Sequence, residues 1–386
     1  PLPPGIDEYL LANWLRGEPV PFVKCITQDL EVPANAEIVI EGYLDPNEHR
    51  MEGPFGDHTG FYTPPDLFPV MHITAITHKR GAIYPATVVG KPPMEDYWMG
   101  KATERLFLPL MQLFMGEIVD VNMPAEGVFH NLVIVSIKPR FPGHAQKIMY
   151  GLWGLGLMML TKAFIIVDDG IDVHDLNAVA NCVLANVDWR RDITIVDGAV
   201  DQLDHSAIRD SYGGKIGLDA TCKPDRGALR DCFEAADERL TRFIGENWYS
   251  PREGLVIAGI DKEKRSVRDA IGAIWSICPD ANLIAVDVDV DTKNLSDVAW
   301  RVLGNVDWRR DIIINTGTLD HFAPDDAPRG QIAINATVKD QADGHTRGWP
   351  QEVGMSAEIV ARVDEQWEQY GIPHPPTPSP SNGEGE

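Results

Sequence analysis

Asn186-Val187-Asp188-Trp189-Arg190-Arg191-Asp192 returns without a change as Asn305-Val306-Asp307-Trp308-Arg309-Arg310-Asp311, 119 positions further on. The flanks match in the same order. Leu132-Val133-Ile134 pairs with Leu255-Val256-Ile257, Val167-Asp168 with Val286-Asp287, Leu203-Asp204-His205 with Leu319-Asp320-His321, and 216–221 with 332–337. Seven identical residues inside ordered flanks mark a tandem domain duplication. Within the first copy, apolar runs at 132–137, 164–167 and 193–196 alternate with helical stretches at 143–160 and 175–187. Such alternation predicts an α/β layer built on a largely parallel sheet.

Upstream, the pattern is mostly strand. A helix is predicted over 7–16, with Leu10, Leu11, Trp14 and Leu15 on one stripe. Strands follow at 21–27 and 36–45, and a further pair, 69–78 and 82–89, flanks the turn Lys79-Arg80-Gly81. A helix over 94–114 contains Pro109, which is expected to kink or divide it. The uncharged stretch 148–161 is 14 residues long, too short to span a bilayer, and reads as a buried helix. No secretory signal is visible, and the opening at Pro1 reads as a chain whose beginning is missing. The Pro-rich end, 367–386, is expected to be disordered.

Hydrophobic residues make up 44% of the chain, a soluble globular composition. Lys and Arg total 34 against 58 Asp and Glu, for a net charge of −24. That surface repels polyanions, which argues against nucleic acid and anionic membrane as partners. The five cysteines form no C-x-x-C pair, which removes the usual zinc spacings and fits a reducing cytoplasm.

The segment Glu52-Gly53-Pro54-Phe55-Gly56-Asp57-His58-Thr59-Gly60 carries the chemistry. Its Gly-Pro and Phe-Gly steps force the backbone to turn, and the turn can aim two carboxylates into one pocket. Paired acids in a dry site push their pKa values apart, leaving one ionised and one able to give a proton. From spacing alone, a solvated acidic turn is the competing reading.

This segment resembles the signature of the UbiD decarboxylases. Asp7-Glu8-Tyr9, Val23-Lys24-Cys25, Asp29 through Ala34, Glu37-Ile38-Val39, Glu41-Gly42-Tyr43, Gly143-His144-Ala145, Thr161-Lys162, Asp168-Asp169 and Gly213-Gly214-Lys215 resemble that family in the same order. The resemblance implies a mixed α+β and α/β fold. Residues 1–125 would be the latter part of a split β-barrel flavin-binding domain and 126–228 an α/β domain. A helical linker at 229–250 and a second α/β copy at 251–366 would follow. It implies reversible decarboxylation of an aromatic acid with prenylated FMN as electron sink. Asp57 would protonate the carbon that loses carbon dioxide, and Glu52 would anchor a hydrogen-bonded network that in the family includes an upstream arginine. Glu8 would ligate a divalent metal, Mn or Mg, bridging to the flavin phosphate. Lys162 would approach that phosphate. Taken alone, Glu8 is an acid favoured in a first helical turn, and Lys162 a snorkelling cap.

By the same resemblance, the substrate is a 3-polyprenyl-4-hydroxybenzoate or a naphthoate of menaquinone synthesis. A flavin prenyltransferase would supply the cofactor, and the protein would be a cytoplasmic homo-oligomer, peripheral to the membrane if its substrate is polyprenylated. A non-catalytic assembly subunit is the alternative, and a plain FMN oxidoreductase comes third. Three motifs are set aside. The glycines of 151–156 follow no strand, the aspartates 287, 289 and 291 lack the closing residues of a calcium loop, and His144 reads as a helix-start residue. Between the copies Lys162 becomes Ala281, Lys215 becomes Gln331 and Asp219 becomes Asn335. This loss of charge predicts that only the first copy closes on the active site, while the second packs against it or serves subunit contacts.

Overall fold

The computed structural model describes residues 5, 7–223, 237–315, 319–321, 329–371 and 373. Local signals set the first element. Asp7 caps α1 (Glu8–Arg16), its carboxylate accepting from Tyr9 N at 2.7 Å, and Gly17 ends it in the left-handed conformation. Strands β1 (Phe22–Lys24) and β2 (Glu31–Pro33) pair antiparallel. Then come β3 (Ile38–Glu52), β4 (Phe55–Gly56), β5 (Tyr62–Thr63) and β6 (Asp66–His78). The short β4–β5 hairpin is nested between the arms of the long β3–β6 ribbon.

Several expectations change here. There is no strand at 82–89, where Pro85 offers no N–H to a ladder, and β6 pairs instead with β3. The described strands of this region form separate two-stranded pairs and close no barrel among themselves. Ile40, Tyr43, Leu44, Ile73 and Ile76 of the long ribbon stay exposed. Helix α2 (Glu95–Phe114) runs on through Pro109 undivided.

The first sheet draws on β7 (Ile118–Asn122), β8 (Val133–Ile137), β9 (Ala163–Asp168), β10 (Ile193–Ala199) and β11 (Tyr212–Asp219), in the order β10-β11-β9-β8-β7. Helices α3 (His144–Trp153) and α4 (Leu176–Asn186) cross over between its parallel strands β8, β9 and β11. Because β7 belongs to this sheet, the α/β unit starts before residue 126. The apolar stretch 148–161 is not one helix. α3 ends at Gly154, and 3-10 turns over Gly156–Leu160 follow, with Gly156 at positive φ.

After α5 (Asp237–Ile244) the second sheet repeats the plan. It takes β12 (Trp248–Arg252), β13 (Leu255–Ile260), β14 (Asn282–Asp287), β15 (Ile312–Ile314) and β16 (Ile332–Asn335), in the order β12-β13-β14-β16-β15. Helices α6 (Val267–Ile277) and α7 (Leu295–Asn305) make its crossovers. Both sheets therefore have three parallel central strands and one antiparallel strand on each edge. The expected linker 229–250 overlaps α5 and β12, and its residues 229–236 lie outside the described residues. Of the expected tail, helix α8 (Ala357–Gln366) runs into a 3-10 turn at Trp367–Tyr370, while 372 and 374–386 lie outside the described residues.

Strand side chains alternate between faces, so a strand apolar at every position must be covered on both. In the first sheet Val133, Val135, Phe164 and Ile166 face an outer core with α3, while Ile134, Ala163 and Val167 face an inner one. In the second sheet Val256, Ala258, Leu283 and Ala285 face an outer core with α6, whereas Ile257, Val286, Ile332 and Ile334 face that same inner core. The inner core holds Trp189 and Trp308 together with apolar residues of α4 and α7. The two copies thus share one hydrophobic core.

The repeated heptapeptide explains how they meet. Asp188 and Asp307 each close their own turn, accepting from Arg190 N at 3.0 Å and Arg309 N at 2.9 Å. Each then reaches the opposite copy: Gly330 N donates to Asp188 at 2.9 Å, and Gly214 N donates to Asp307 at 3.1 Å. The contact is reciprocal, as across a two-fold axis. A Cβ on Gly214 would lie 2.4 Å from Arg309 N, and one on Gly330 would lie 3.0 Å from Arg190 N. His205 adds to the joint, with its Nε2 3.0 Å from Asn305 Oδ1.

Gly214→Ala is expected to lower stability by about 1–3 kcal/mol through overpacking, and Gly330→Ala by less. Thermal denaturation of both variants checks this, and an unchanged midpoint for Gly214→Ala would contradict so close a joint. A second expectation concerns acid. Burial pushes the His205 ring down to about 4 from an ordinary value of 6.5. Its contribution is complete above pH 6.5 and is lost as the pH falls toward 4, because the unfolded ring takes a proton first; the loss is at most about 3 kcal/mol. Melting curves at pH 7 and 4.5 are expected to lose less with pH for His205→Gln than for the unaltered chain.

Candidate active site

The turn that follows the long ribbon is where the chemistry gathers. Glu52 ends β3 opposite Asp66, and Gly53, at φ +93°, swings the chain into the β4–β5 hairpin. Asp57 leaves β4, and Gly60 N donates to Asp57 O at 3.0 Å to close the next turn. Asp57 Oδ1 accepts from His58 N at 2.7 Å and lies 3.0 Å from His58 Nδ1. On its other side the His58 ring meets His130, Nε2 to Nε2 at 3.0 Å. Asp201 Oδ1 is 3.9 Å from His130 Nε2. Burial drives the His130 ring down to about 4, so it is neutral near pH 7. The outcome is a line of groups from a half-buried carboxylate to a buried neutral imidazole.

His58 also borders a small cleft walled by Met94, Tyr97, Met123, Val128 and Phe129. The carboxyl of Asp96 lines it too. Burial raises that carboxyl above its ordinary value, with Glu95 and Asp57 adding to the effect and His58 opposing it. The enclosed space is about 20 Å³, room for one water-sized group.

The anticipated site residues fall in different places. Asp57 stands in the cluster. Glu52 is exposed at the ribbon end, and among the described residues no hydrogen bond or ion pair joins it to Asp57. Glu8 is exposed in the first turn of α1. The His, Asp and Glu donors that do converge are His58, His130 and Asp201, all within 4.8 Å of one another. A mixed imidazole and carboxylate set suits a transition metal better than Mg²⁺. Yet one N–H···N hydrogen bond accounts for the two imidazoles, and the contact needs no ion.

Lys162, 1% exposed, sits just before β9 at the joint between the copies. Its Nζ is 2.7 Å from Asp204 Oδ2 and donates to Ser206 Oγ at 2.8 Å and Leu303 O at 3.1 Å. Burial alone would raise the Asp204 carboxyl, but Lys162 and Ser206 hold it below its ordinary value. Separating a buried pair is strongly destabilising. As placed, Lys162 does not fit a phosphate contact. His144 is structural, as its helix-start position implies: its Nε2 is 3.0 Å from Glu117, whose carboxyl Lys147 and His144 together lower to about 2 against the pull of burial.

His58 lies inside the segment singled out for its acids, but nothing local in the sequence joins His130, Asp201 or Asp96 to it. Residues 1–92 match the 3-octaprenyl-4-hydroxybenzoate carboxy-lyase Rift-related domain, and 97–220 with 247–336 match the C-terminal domain of the same carboxy-lyases. A protein of Archaeoglobus fulgidus is 55% identical over 252 residues, 64% of this chain and 52% of that one. One from Helicobacter pylori is 35% identical over 376 residues, 95% of this chain and 59% of that one. The chain therefore spans little more than half the length of these relatives. Among solved structures, the UbiD-class enzyme HmfF from Pelotomaculum thermopropionicum in complex with FMN superposes with a TM-score of 0.51 at 30% identity, covering 62% of this chain and 54% of that one. Vanillic acid decarboxylase of Sedimentibacter hydroxybenzoicus gives 0.52 at 29%, covering 62% and 53%. With both family domains matched in order over most of its length, this chain belongs to the UbiD family of carboxy-lyases.

Proposed function

We propose that the protein decarboxylates an aromatic acid and that Asp57 supplies the proton replacing carbon dioxide. The observation that carries this reading is the position of Asp57, whose carboxylate meets His58, a ring that lines a small apolar cleft and is backed by a buried neutral His130. As the C–C bond breaks, its electron pair stays on the ring carbon and carbon dioxide leaves. Asp57 Oδ1 gives its proton to that carbon, and the His58 imidazole is placed to return one to the carboxylate.

The proposed cofactor is a flavin, as in the FMN complex of HmfF, and prenylated FMN by the family resemblance. No step here depends on it, since Lys162 in its present pairing is not free for a phosphate. A divalent metal at Glu8 and a role for Glu52 in ordering the acid remain part of the proposal. So does a split barrel, in which other strands would cover the exposed apolar side chains of the β3–β6 ribbon. Aromatic carboxylates as a class are the broader proposal, resting on the family and on the likeness to vanillic acid decarboxylase. A polyprenylated hydroxybenzoate or a naphthoate of quinone synthesis is the narrower proposal, resting on resemblance.

In the full-length protein, Asp57→Asn is expected to cut turnover by about 10²–10⁴-fold with flavin content unchanged. Near wild-type carbon dioxide release would remove Asp57 from the chemistry. His58→Gln keeps a hydrogen-bond partner for Asp57 but cannot relay a proton. Its turnover is expected to fall, with partial rescue by added imidazole; a variant as fast as wild type would dismiss the relay.

A further inference from the structure

Helices α4 and α7 are the same element in the two copies. Leu-Asn-Ala-Val-Ala-Asn-Cys-Val-Leu-Ala-Asn at 176–186 becomes Leu-Ser-Asp-Val-Ala-Trp-Arg-Val-Leu-Gly-Asn at 295–305. Six positions are kept, among them the valines that pack in the shared core. The five that differ, Ser296, Asp297, Trp300, Arg301 and Gly304, recur at intervals of three and four and so share one face of the helix.

That face lies against the acid-bearing turn and its surroundings. Trp300, 1% exposed, donates from Nε1 to Thr59 O at 2.9 Å and stacks on Phe61 at 4.8 Å with the rings 14° apart. A Cβ on Gly60 would lie 2.9 Å from the indole, so the turn approaches as closely as a glycine allows. Gly304 leaves room for the Phe61 ring, 3.8 Å from where its Cβ would be. Asp297 pairs with Lys91, Ser296 Oγ donates to Glu126 at 2.8 Å, and Arg301 pairs with Glu352 at 2.9 Å. The segment around Glu352 completes the clamp, with Tyr62 N donating to Gln351 O and Val353 N to Gly60 O, both at 2.8 Å. In α4 the position of Trp300 is held by Asn181, which is exposed and bonds instead to Arg252.

We propose that the second copy is a brace for the acid, in which α7, through Trp300, is the positioning element that fixes the turn 57–61 and hence the Asp57 carboxyl. This rests on the reading of Asp57 as proton donor. It replaces the expectation, drawn from the lost charges, that only the first copy closes on the site. Charge was lost along the strands while a new gripping face was gained on the helix.

The test uses the full-length holoenzyme with Trp300→Leu, Trp300→Phe, Asp57→Asn, and Ile271→Ala in the outer core of the second copy. Amide exchange across 57–62 and steady-state kinetics are measured for each. Trp300→Leu is expected to speed exchange in 57–62 and to lower kcat about tenfold to a hundredfold with little change in KM. Trp300→Phe, which keeps the stack and loses only the N–H, is expected to fall between Leu and wild type. Ile271→Ala is expected to lower the melting point and leave exchange in 57–62 unchanged. Wild-type exchange and kcat in Trp300→Leu would overturn the brace, as would an equal rise of exchange in Ile271→Ala. If Trp300→Leu does not fold, Trp300→Phe decides by the same two readouts. Full turnover in Asp57→Asn would instead defeat the functional reading, and the exchange data alone would then judge the brace.

Discussion

Asp188 and Asp307 each turn their own chain and then accept an N–H from a glycine of the opposite copy. A buried carboxylate tolerates that position only while its hydrogen bonds are made, and a buried N–H likewise needs its acceptor. The glycines are required because the other backbone comes within contact distance. These paired contacts set the spacing at which the inner faces of two sheets, and the helices between them, close into one core. What reaches across the joint depends on that spacing, including the bond from Lys162 Nζ to Leu303 O and the His205–Asn305 contact.

The same constraint accounts for what the duplication kept and what it changed. The heptapeptide serves both copies at once, so a change in either would leave a buried partner unsatisfied in the other. Lys215 and Asp219 carry no such reciprocal duty. Lys215 Nζ donates within its own copy to Ala199 O, and Asp219 is bonded to Thr221 and Lys223. Their counterparts Gln331 and Asn335 keep local hydrogen bonds without charge. The α7 face that turns away from the core was equally free to vary, and there Trp300 and its neighbours meet the upstream region.

Burial also sorts the ionisable groups near the acid. Lys162 and Asp204 compensate each other in the joint, and His130 and His205 are held neutral by burial. Asp96 lines the cleft, and His58 stands between Asp57 and the interior. A surface of net charge −24 surrounds a site whose own charges are few and largely paired.

Repetition, apolar strands and helix signals depend on residues close in sequence. The duplication, the two α/β units, the capped helix from Glu8 and the turn at Gly53 could therefore be read from the chain itself. The family was legible for the same reason, since the segment 52–60 that resembles its signature is continuous. Long-range pairing is not written locally. That β6 would join β3 rather than 82–89, and that β7 and β12 would extend their sheets, depended on which edges lay open after collapse. His130 and Asp201 reach His58 only through packing, and Lys162 finds Leu303 only once the copies meet. Trp300 in the sequence is one more apolar helical residue. Its hold on Thr59 and Phe61 exists because a core shared by two sheets delivers that face of α7 to the acid-bearing turn.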